Sequence, residues 1–142
     1  HEDVHSLIRA IDVPYKWALM VRAPMEKWSN GNITLLGDAC HPTLPFLAQG
    51  AAMAIEDGYM LARALDEYRD DPAVALQHYE EARKDRTARV VEGSNANAKR
   101  FHNKELAHPE GAAAYVNREW QEERVKERYE WLFTYDVETA PL

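Results

Sequence analysis

One segment, GDACHPTLPFLAQGAAMAIEDG at residues 37–58, constrains the fold of this chain more than any other. It follows the apolar run ITLL at residues 33–36, passes through two prolines and then enters an alanine-rich stretch at Gly50. A continuous apolar run is typical of a strand covered on both faces, as in a parallel α/β sheet. The segment therefore predicts a strand, a stiff turn and a helix, in that order.

The junction between this strand and this helix has the features of a ligand site. Asp38 stands at the carboxyl end of the predicted strand, where α/β sheets bind ligands, and its carboxylate can accept hydrogen bonds from ribose or ribityl hydroxyls. Pro42 and Pro45 fix φ and stiffen the turn. Gly50 and Ala51 then open a helix whose unpaired N–H groups carry partial positive charge, and their small side chains admit a flat ligand. In the alternative interpretation, Asp38 only caps the turn.

The rest of the chain divides into a strand-like first part and a helical second part. The run VPYKWALMV at residues 13–21 predicts another strand, and a loop rich in Pro, Gly, Ser and Asn separates it from the first. From Gly50 onward we expect three helices, the third within residues 112–135. The second begins near residue 73, because Asp71 can cap it and Pro72 suits its first position. The apolar stripe expected on the first helix contains Ala54, Gly58, Leu61, Ala62 and Leu65.

Charge and cysteine content exclude several classes of function. The formal charge of −7 argues against a nucleic-acid or anionic-membrane partner, and no window of about 18 apolar residues predicts a membrane span. Cys40 is the only cysteine, which excludes an intrachain disulfide and fits a reducing cytoplasm. It is more simply a packed residue than a nucleophile. The histidines other than His41 are too scattered to predict a metal site.

The sequence of residues 37–58 resembles the second flavin-binding motif of the class A FAD-dependent aromatic monooxygenases, the salicylate-hydroxylase-like group. That motif reads roughly Gly-Asp-Ala-x-His-x-x-x-Pro-x-x-Gly-Gln-Gly, followed after six residues by Glu-Asp-Ala. The runs WALMVRAPMEKWSNGNITLLGDA and RYEWLFTYD are similar to the same group. Two positions differ, since Ala48 stands where many relatives have Gly and Gly58 where they usually have Ala. Ala48 adds a methyl group and restricts φ at its position.

The resemblance implies FAD as cofactor and NAD(P)H as co-substrate. Asp38 would bind the ribityl hydroxyls, and the amides of Gly50 and Ala51 would face the pyrimidine edge, where negative charge accumulates on reduction. Pro45 would lie beside the reacting face of the ring. The flavin-binding residues implied in this way are Gly37, Asp38, Pro45, Gln49, Gly50, Ala51 and Ala52.

The catalytic candidates are Pro45 and His41. His41 would act on the substrate or tune the flavin, but its place between Cys40 and Pro42 suits a turn contact equally well. Arg22, just beyond the strand-like run, would help to join two domains, with a direct substrate contact as the alternative.

The resemblance also implies the fold. The Gly-x-Gly-x-x-Gly fingerprint of dinucleotide folds is missing, so we expect an α/β chain that corresponds to the C-terminal portion of a Rossmann-like FAD-binding monooxygenase. It would have two or so strands followed by three long helices. Residues 1–31 would end a substrate-domain sheet and its linker, residues 32–68 would complete the FAD-binding domain, and residues 69–142 would form the C-terminal helices.

The implied function is hydroxylation of a small aromatic acid or phenol, and the alternative within the resembling enzymes is a substrate with a non-aromatic ring or a polyketide. The partner of this chain would be the N-terminal FAD-binding half, without which FAD is held poorly and the piece is inactive. A homo-oligomer is left open. The alternative is a truncated, non-catalytic helical association module without bound flavin.

Overall fold

The computed structural model describes residues 1–142, which form a mainly helical chain with one small sheet. The prediction of two or so strands followed by long helices is confirmed, and a short helix that was not predicted, Glu2–Arg9, precedes them. The strands are β1 (Ser29–Asn30) and β2 (Ile33–Thr34), and the helices are α1 (Glu2–Arg9), α2 (Gly50–Glu67), α3 (Pro72–Phe101), α4 (Pro109–Glu119) and α5 (Glu122–Phe133). Three short 3₁₀ helices cover Gly37–Ala39, Pro45–Leu47 and Lys104–Ala107.

The sheet is an antiparallel hairpin, which corrects the prediction of a strand covered on both faces. Ser29 pairs with Thr34 and Asn30 with Ile33, and Ile33 is 73% exposed. The run at residues 13–21, which was predicted as a strand, forms none, and its apolar residues are exposed. A strand exists only through pairing, and the sheet of this chain contains β1 and β2 alone.

Helix α2 begins at Gly50 as predicted, but it buries a different stripe from the one expected. The buried residues are Met53, Asp57, Met60 and Ala64, one position before most of the predicted set. The expected stripe contained only apolar and small residues and left out Asp57. Asp57 is fully buried, and its partners on other elements explain how a carboxylate can lie there.

Helix α3 begins as its start signals predict, with the Asp71 side chain accepting a hydrogen bond from the Val74 N–H at 3.2 Å. It packs along α2, and the two helices enclose most of the core. One cluster of buried side chains contains Trp28, Cys40, Met60, Ala64, Ala75 and Tyr79. A second contains Met53, Val90 and Leu132. Cys40 is therefore a packed residue, as expected.

The helix expected within residues 112–135 is two helices, α4 and α5, separated at Trp120–Gln121. After α5 the chain returns to the core, where the Arg63 guanidinium donates to the carbonyl oxygens of Val137 and Ala140, both at 2.8 Å. None of the helices combines the length and the apolar character that crossing a membrane requires. The domain boundaries near residues 31 and 68 remain predictions.

Candidate functional site

The turn between β2 and α2 surrounds a cleft of about 650 Å³. Five of the residues predicted to bind a flavin line it, namely Gly37, Asp38, Pro45, Gly50 and Ala51. Thr43, Leu44 and Ala48 lie beside them. Gln49 and Ala52 are adjacent in the chain but do not line the cleft, and neither does His41. The structure thus brings together the residues at the two ends of the motif around one open space.

Two backbone positions in the turn adopt left-handed conformations. Gly37 has φ of 62°, and a Cβ atom built there would lie 3.3 Å from the Cβ of Ala54 on α2. Ala48 has φ of 54° and ψ of 34°, and its side chain is exposed. Glycine adopts this region without steric cost, whereas alanine does not. Ala48 is one of the two positions at which the sequence departs from the motif, and its backbone has a conformation that favours glycine.

The N-terminus of α2 faces the cleft without a cap. The side chain of Gln49 makes no capping hydrogen bond, and the first intrahelical bond is donated by the Met53 N–H to the Gln49 carbonyl oxygen at 2.8 Å. The N–H groups of Gly50, Ala51 and Ala52 have no acceptor within the chain. Such groups are a ready site for negative charge on a ligand.

A buried carboxylate holds the first part of the turn. The Asp57 Oδ2 atom accepts a hydrogen bond from the Gly37 N–H at 3.0 Å and lies 2.6 Å from the His41 Nε2 atom. Its Oδ1 atom accepts from the Arg83 Nε–H at 2.8 Å. All three side chains are at most 1% exposed. Asp57 thus contacts both ends of the segment Gly37–His41 and, through Arg83, links that segment with helix α3.

His41 lies inside this cluster and not at the surface of the cleft. Its Nδ1 atom is buried without a hydrogen-bond partner, so the ring is anchored through Nε2 alone. The geometry favours the turn contact that was the alternative interpretation of this residue.

A second layer of charges surrounds Arg83. The guanidinium donates to Glu56 at 2.6 Å and to the Tyr135 hydroxyl at 2.9 Å, and Arg86 makes a bidentate pair with Glu56 at 2.8 Å. Burial alone raises the pKa of the Asp57 carboxyl, but the hydrogen bonds from His41 and Arg83 outweigh it and hold that pKa below its usual range. The pKa of Glu56 is lowered in the same way by Arg86 and Arg83, against the effect of burial. Both groups are therefore carboxylates at neutral pH.

The sequence interpretation missed this cluster, although a signal was present. Arg83 lies on the same face of α3 as Leu76, Tyr79 and Val90, and the structure buries all four. An arginine within an apolar stripe needs a buried acid, because an isolated charge is costly to bury.

Cys40, His41 and Asp57 are close enough together to suggest a metal site, since one ligand atom of each lies within 4.8 Å of the others. A metal would need the Cys40 thiolate. Burial and the nearby Asp57 charge raise the pKa of the Cys40 thiol to about 12, and its Sγ donates to the Gly37 carbonyl oxygen at 3.3 Å. Both Asp57 oxygens already accept hydrogen bonds, so the arrangement favours a hydrogen-bonded cluster over a metal site.

An apolar groove of about 580 Å³ lies on the other side of the Pro45–Leu47 turn. Pro45 and Ala48 line both the groove and the cleft, so the turn is the wall between them. The aromatic side chains in the groove are Phe46, Phe101, Trp120, Tyr129 and Phe133. Arg22 reaches the turn from the first part of the chain, where its guanidinium donates to the Ala39 carbonyl oxygen.

Comparison with known proteins places these features in a family. The profile described as FAD binding domain matches residues 10–94. The chain is 40% identical to 6-hydroxynicotinate 3-monooxygenase of Bordetella bronchiseptica over its whole length, and 38% identical to 3-hydroxybenzoate 6-hydroxylase of Polaromonas naphthalenivorans over 89% of it. It covers 31% and 32% of those two proteins, and thus spans about a third of the length of these curated relatives.

One solved structure is also similar to this chain. The crystal structure of FqzB matches 58% of this chain, and 20% of its own, with a TM-score of 0.56 and 35% sequence identity. The matched profile covers more than half of the 142 residues, including the cleft and the buried cluster beside it. The chain belongs to the FAD binding domain family.

Proposed function

We propose that this chain supplies the flavin-facing turn of an FAD-dependent monooxygenase that hydroxylates a small aromatic acid or phenol. The observation that carries the proposal is the cleft, in which a free carboxylate, a proline and an uncapped helix N-terminus meet around one space. The carboxylate of Asp38 is exposed and makes no hydrogen bond within the chain, so it is available to a ligand. The names of the relatives support the reaction class.

The residues of the cleft fit a flavin. Asp38 would accept hydrogen bonds from the ribityl hydroxyls, and a charge-assisted bond of this kind contributes about 1.5–3 kcal/mol. The N–H groups of Gly50 and Ala51 would donate to the pyrimidine edge and stabilise the negative charge of the reduced ring. Pro45 would lie beside the ring. When bound, FAD would supply the redox chemistry that joins NAD(P)H oxidation to oxygen insertion.

The groove behind the turn supports an aromatic substrate. Its aromatic side chains can pack against a ring. Both relatives cited above are named for hydroxylation of small aromatic acids. NAD(P)H as the reductant is part of the proposal.

The test is to purify the gene product that carries this chain and to record its visible absorption spectrum. We expect stoichiometric FAD in the wild type and an affinity about 10- to 100-fold weaker after Asp38→Ala, as the loss of one charge-assisted bond predicts. Asp70→Ala removes an exposed carboxylate from the turn after α2 and is the matched control. A colourless protein that takes up no added FAD would refute the proposal.

One observation favours the alternative, an association module. Apolar side chains at alternating positions of residues 13–21 are exposed, and Trp17 and Tyr15 are 82% and 79% exposed. An exposed apolar patch often marks a contact with another chain. A colourless oligomer that dissociates after Trp17→Ser would support this function, whereas a yellow protein whose spectrum is unaffected by Trp17→Ser would support the monooxygenase.

A further inference from the structure

We infer that Asn97 and Ser94 of helix α3 are positioning residues for Pro45 and that Tyr129 of helix α5 orients Asn97. This inference rests on the proposed function, because it assigns to these residues the alignment of the turn against the flavin. None of the three belongs to the motif at residues 37–58.

The two α3 side chains hold the carbonyl groups on either side of Pro45. The Ser94 hydroxyl donates to the Leu44 carbonyl oxygen at 2.6 Å, and the Asn97 Nδ2 group donates to the Phe46 carbonyl oxygen at 3.1 Å. Ser94 is fully buried and Asn97 is 2% exposed. A buried polar group that loses its partner is left without a hydrogen bond at a cost in free energy, so both contacts resist displacement of the turn.

The amide of Asn97 has only one favourable orientation. Its Oδ1 atom accepts a hydrogen bond from the Tyr129 hydroxyl at 3.2 Å and another from the Arg100 guanidinium at 2.7 Å. Two donors on one side of the amide place the NH₂ group on the other side, toward Phe46. Tyr129 thus joins α5 to the turn through Asn97.

The turn needs such support because it has little of its own. Pro45 has no N–H, its side chain is exposed, and Ala48 adopts a left-handed conformation. The one backbone hydrogen bond that closes the turn runs from the Ala48 N–H to the Pro45 carbonyl oxygen at 3.0 Å. Leu47 packs closely on Gly93, since a Cβ atom built on Gly93 would lie 3.0 Å from the Leu47 Cδ1 atom. Helix α3 is therefore the surface on which the turn is shaped.

The first experiment measures amide hydrogen exchange at Ala48 in the flavin-free protein. Asn97→Asp keeps the shape of the side chain but places a carboxylate oxygen against the Phe46 carbonyl oxygen. We expect the protection of the Ala48 amide to fall about tenfold or more. Asn117→Asp, at an exposed position of α4, is the matched control and should leave it unchanged. Unchanged protection in folded Asn97→Asp would overturn the inference.

The second experiment uses the FAD-loaded protein and tests positioning itself. In the absence of substrate, we expect Asn97→Asp to shift the flavin absorption bands, whereas an Asn97 that only contacts the substrate in the apolar groove would leave these bands unchanged. Tyr129→Phe removes only one of the two donors that orient Asn97, and it replaces Asn97→Asp in these experiments if that variant does not fold. We expect it to lower the exchange protection of the Ala48 amide two- to threefold. Wild-type spectrum and protection in Tyr129→Phe would then overturn the inference. If the wild type binds no FAD, the proposed function fails as well, whereas loaded variants with unaltered properties contradict only this inference.

Discussion

Replacing Ala48 with glycine is expected to stabilise the protein. Ala48 ends the Pro45–Leu47 turn with φ of 54° and ψ of 34°, and its exposed methyl group makes little contribution to the core. Glycine in most sites of a folded chain is destabilising, because it loses more conformational entropy on folding than any other residue. The opposite sign expected here follows from the left-handed backbone alone.

The magnitude comes from two opposing terms. An L-residue in the left-handed region costs about 1–2 kcal/mol relative to the right-handed one. Glycine avoids that cost but loses about 0.5–1 kcal/mol more entropy than alanine. The central values of the two terms differ by about 0.75 kcal/mol, which is the expected gain in the free energy of unfolding.

Urea unfolding followed by circular dichroism measures this gain. With a slope of about 2 kcal/mol/M, the midpoint of Ala48→Gly should rise by about 0.3–0.5 M at an unchanged slope. Ala113→Gly makes the same chemical change at an exposed position inside α4 and should lower stability by about 1 kcal/mol. If both variants are less stable than the wild type, the strain assigned to Ala48 does not exist.

Three further predictions concern the buried cluster and the turn. Because the pKa values of Asp57 and Glu56 are lowered in the folded state, their carboxylates stabilise the fold above about pH 4.5, and this stabilisation is lost as the pH falls through the folded-state pKa values. Between pH 7 and pH 3 the urea midpoint should therefore fall less in Asp57→Asn than in the wild type, and an equal fall contradicts the assignment. Cys40, fully buried with a thiol pKa of about 12, should resist iodoacetamide at pH 8 until denaturant is added, and modification of the folded protein would show that the turn opens. Gly37→Ala should destabilise by at least about 1–2 kcal/mol, because the residue is left-handed and its new methyl group meets Ala54; unfolding at the wild-type urea concentration would refute this.

The sequence located the site but not what holds it. The motif at residues 37–58 identified the turn, the start of α2 and five of the ten residues that line the cleft, because proline, glycine and small side chains have strong local preferences. The supporting groups lie far away in sequence. Ser94 and Asn97 bond residues 50 and 51 positions earlier, and no local pattern specifies such contacts.

The strand predictions failed for a related reason. Alternating or continuous apolar residues indicate that a segment can form a strand, but a strand also requires a hydrogen-bonding neighbour. Residues 33 and 34 find one in the hairpin, whereas residues 13–21 have none within the chain. The helices were predicted better, because their backbone hydrogen bonds are internal and their end signals are local.

The buried face of α3 unites the two parts of the site. Arg83 holds Asp57, and through it the segment that begins at Gly37, while Ser94 and Asn97 hold the segment around Pro45. All these contacts are polar and the side chains that make them are at most 2% exposed, so each contact is lost at a cost if the turn moves relative to the helix. A rigid helix that fixes both segments would therefore set the distance between the Asp38 end of the cleft and its Pro45 end. Substitutions on this face of α3 should alter the cleft even though no α3 residue lines it.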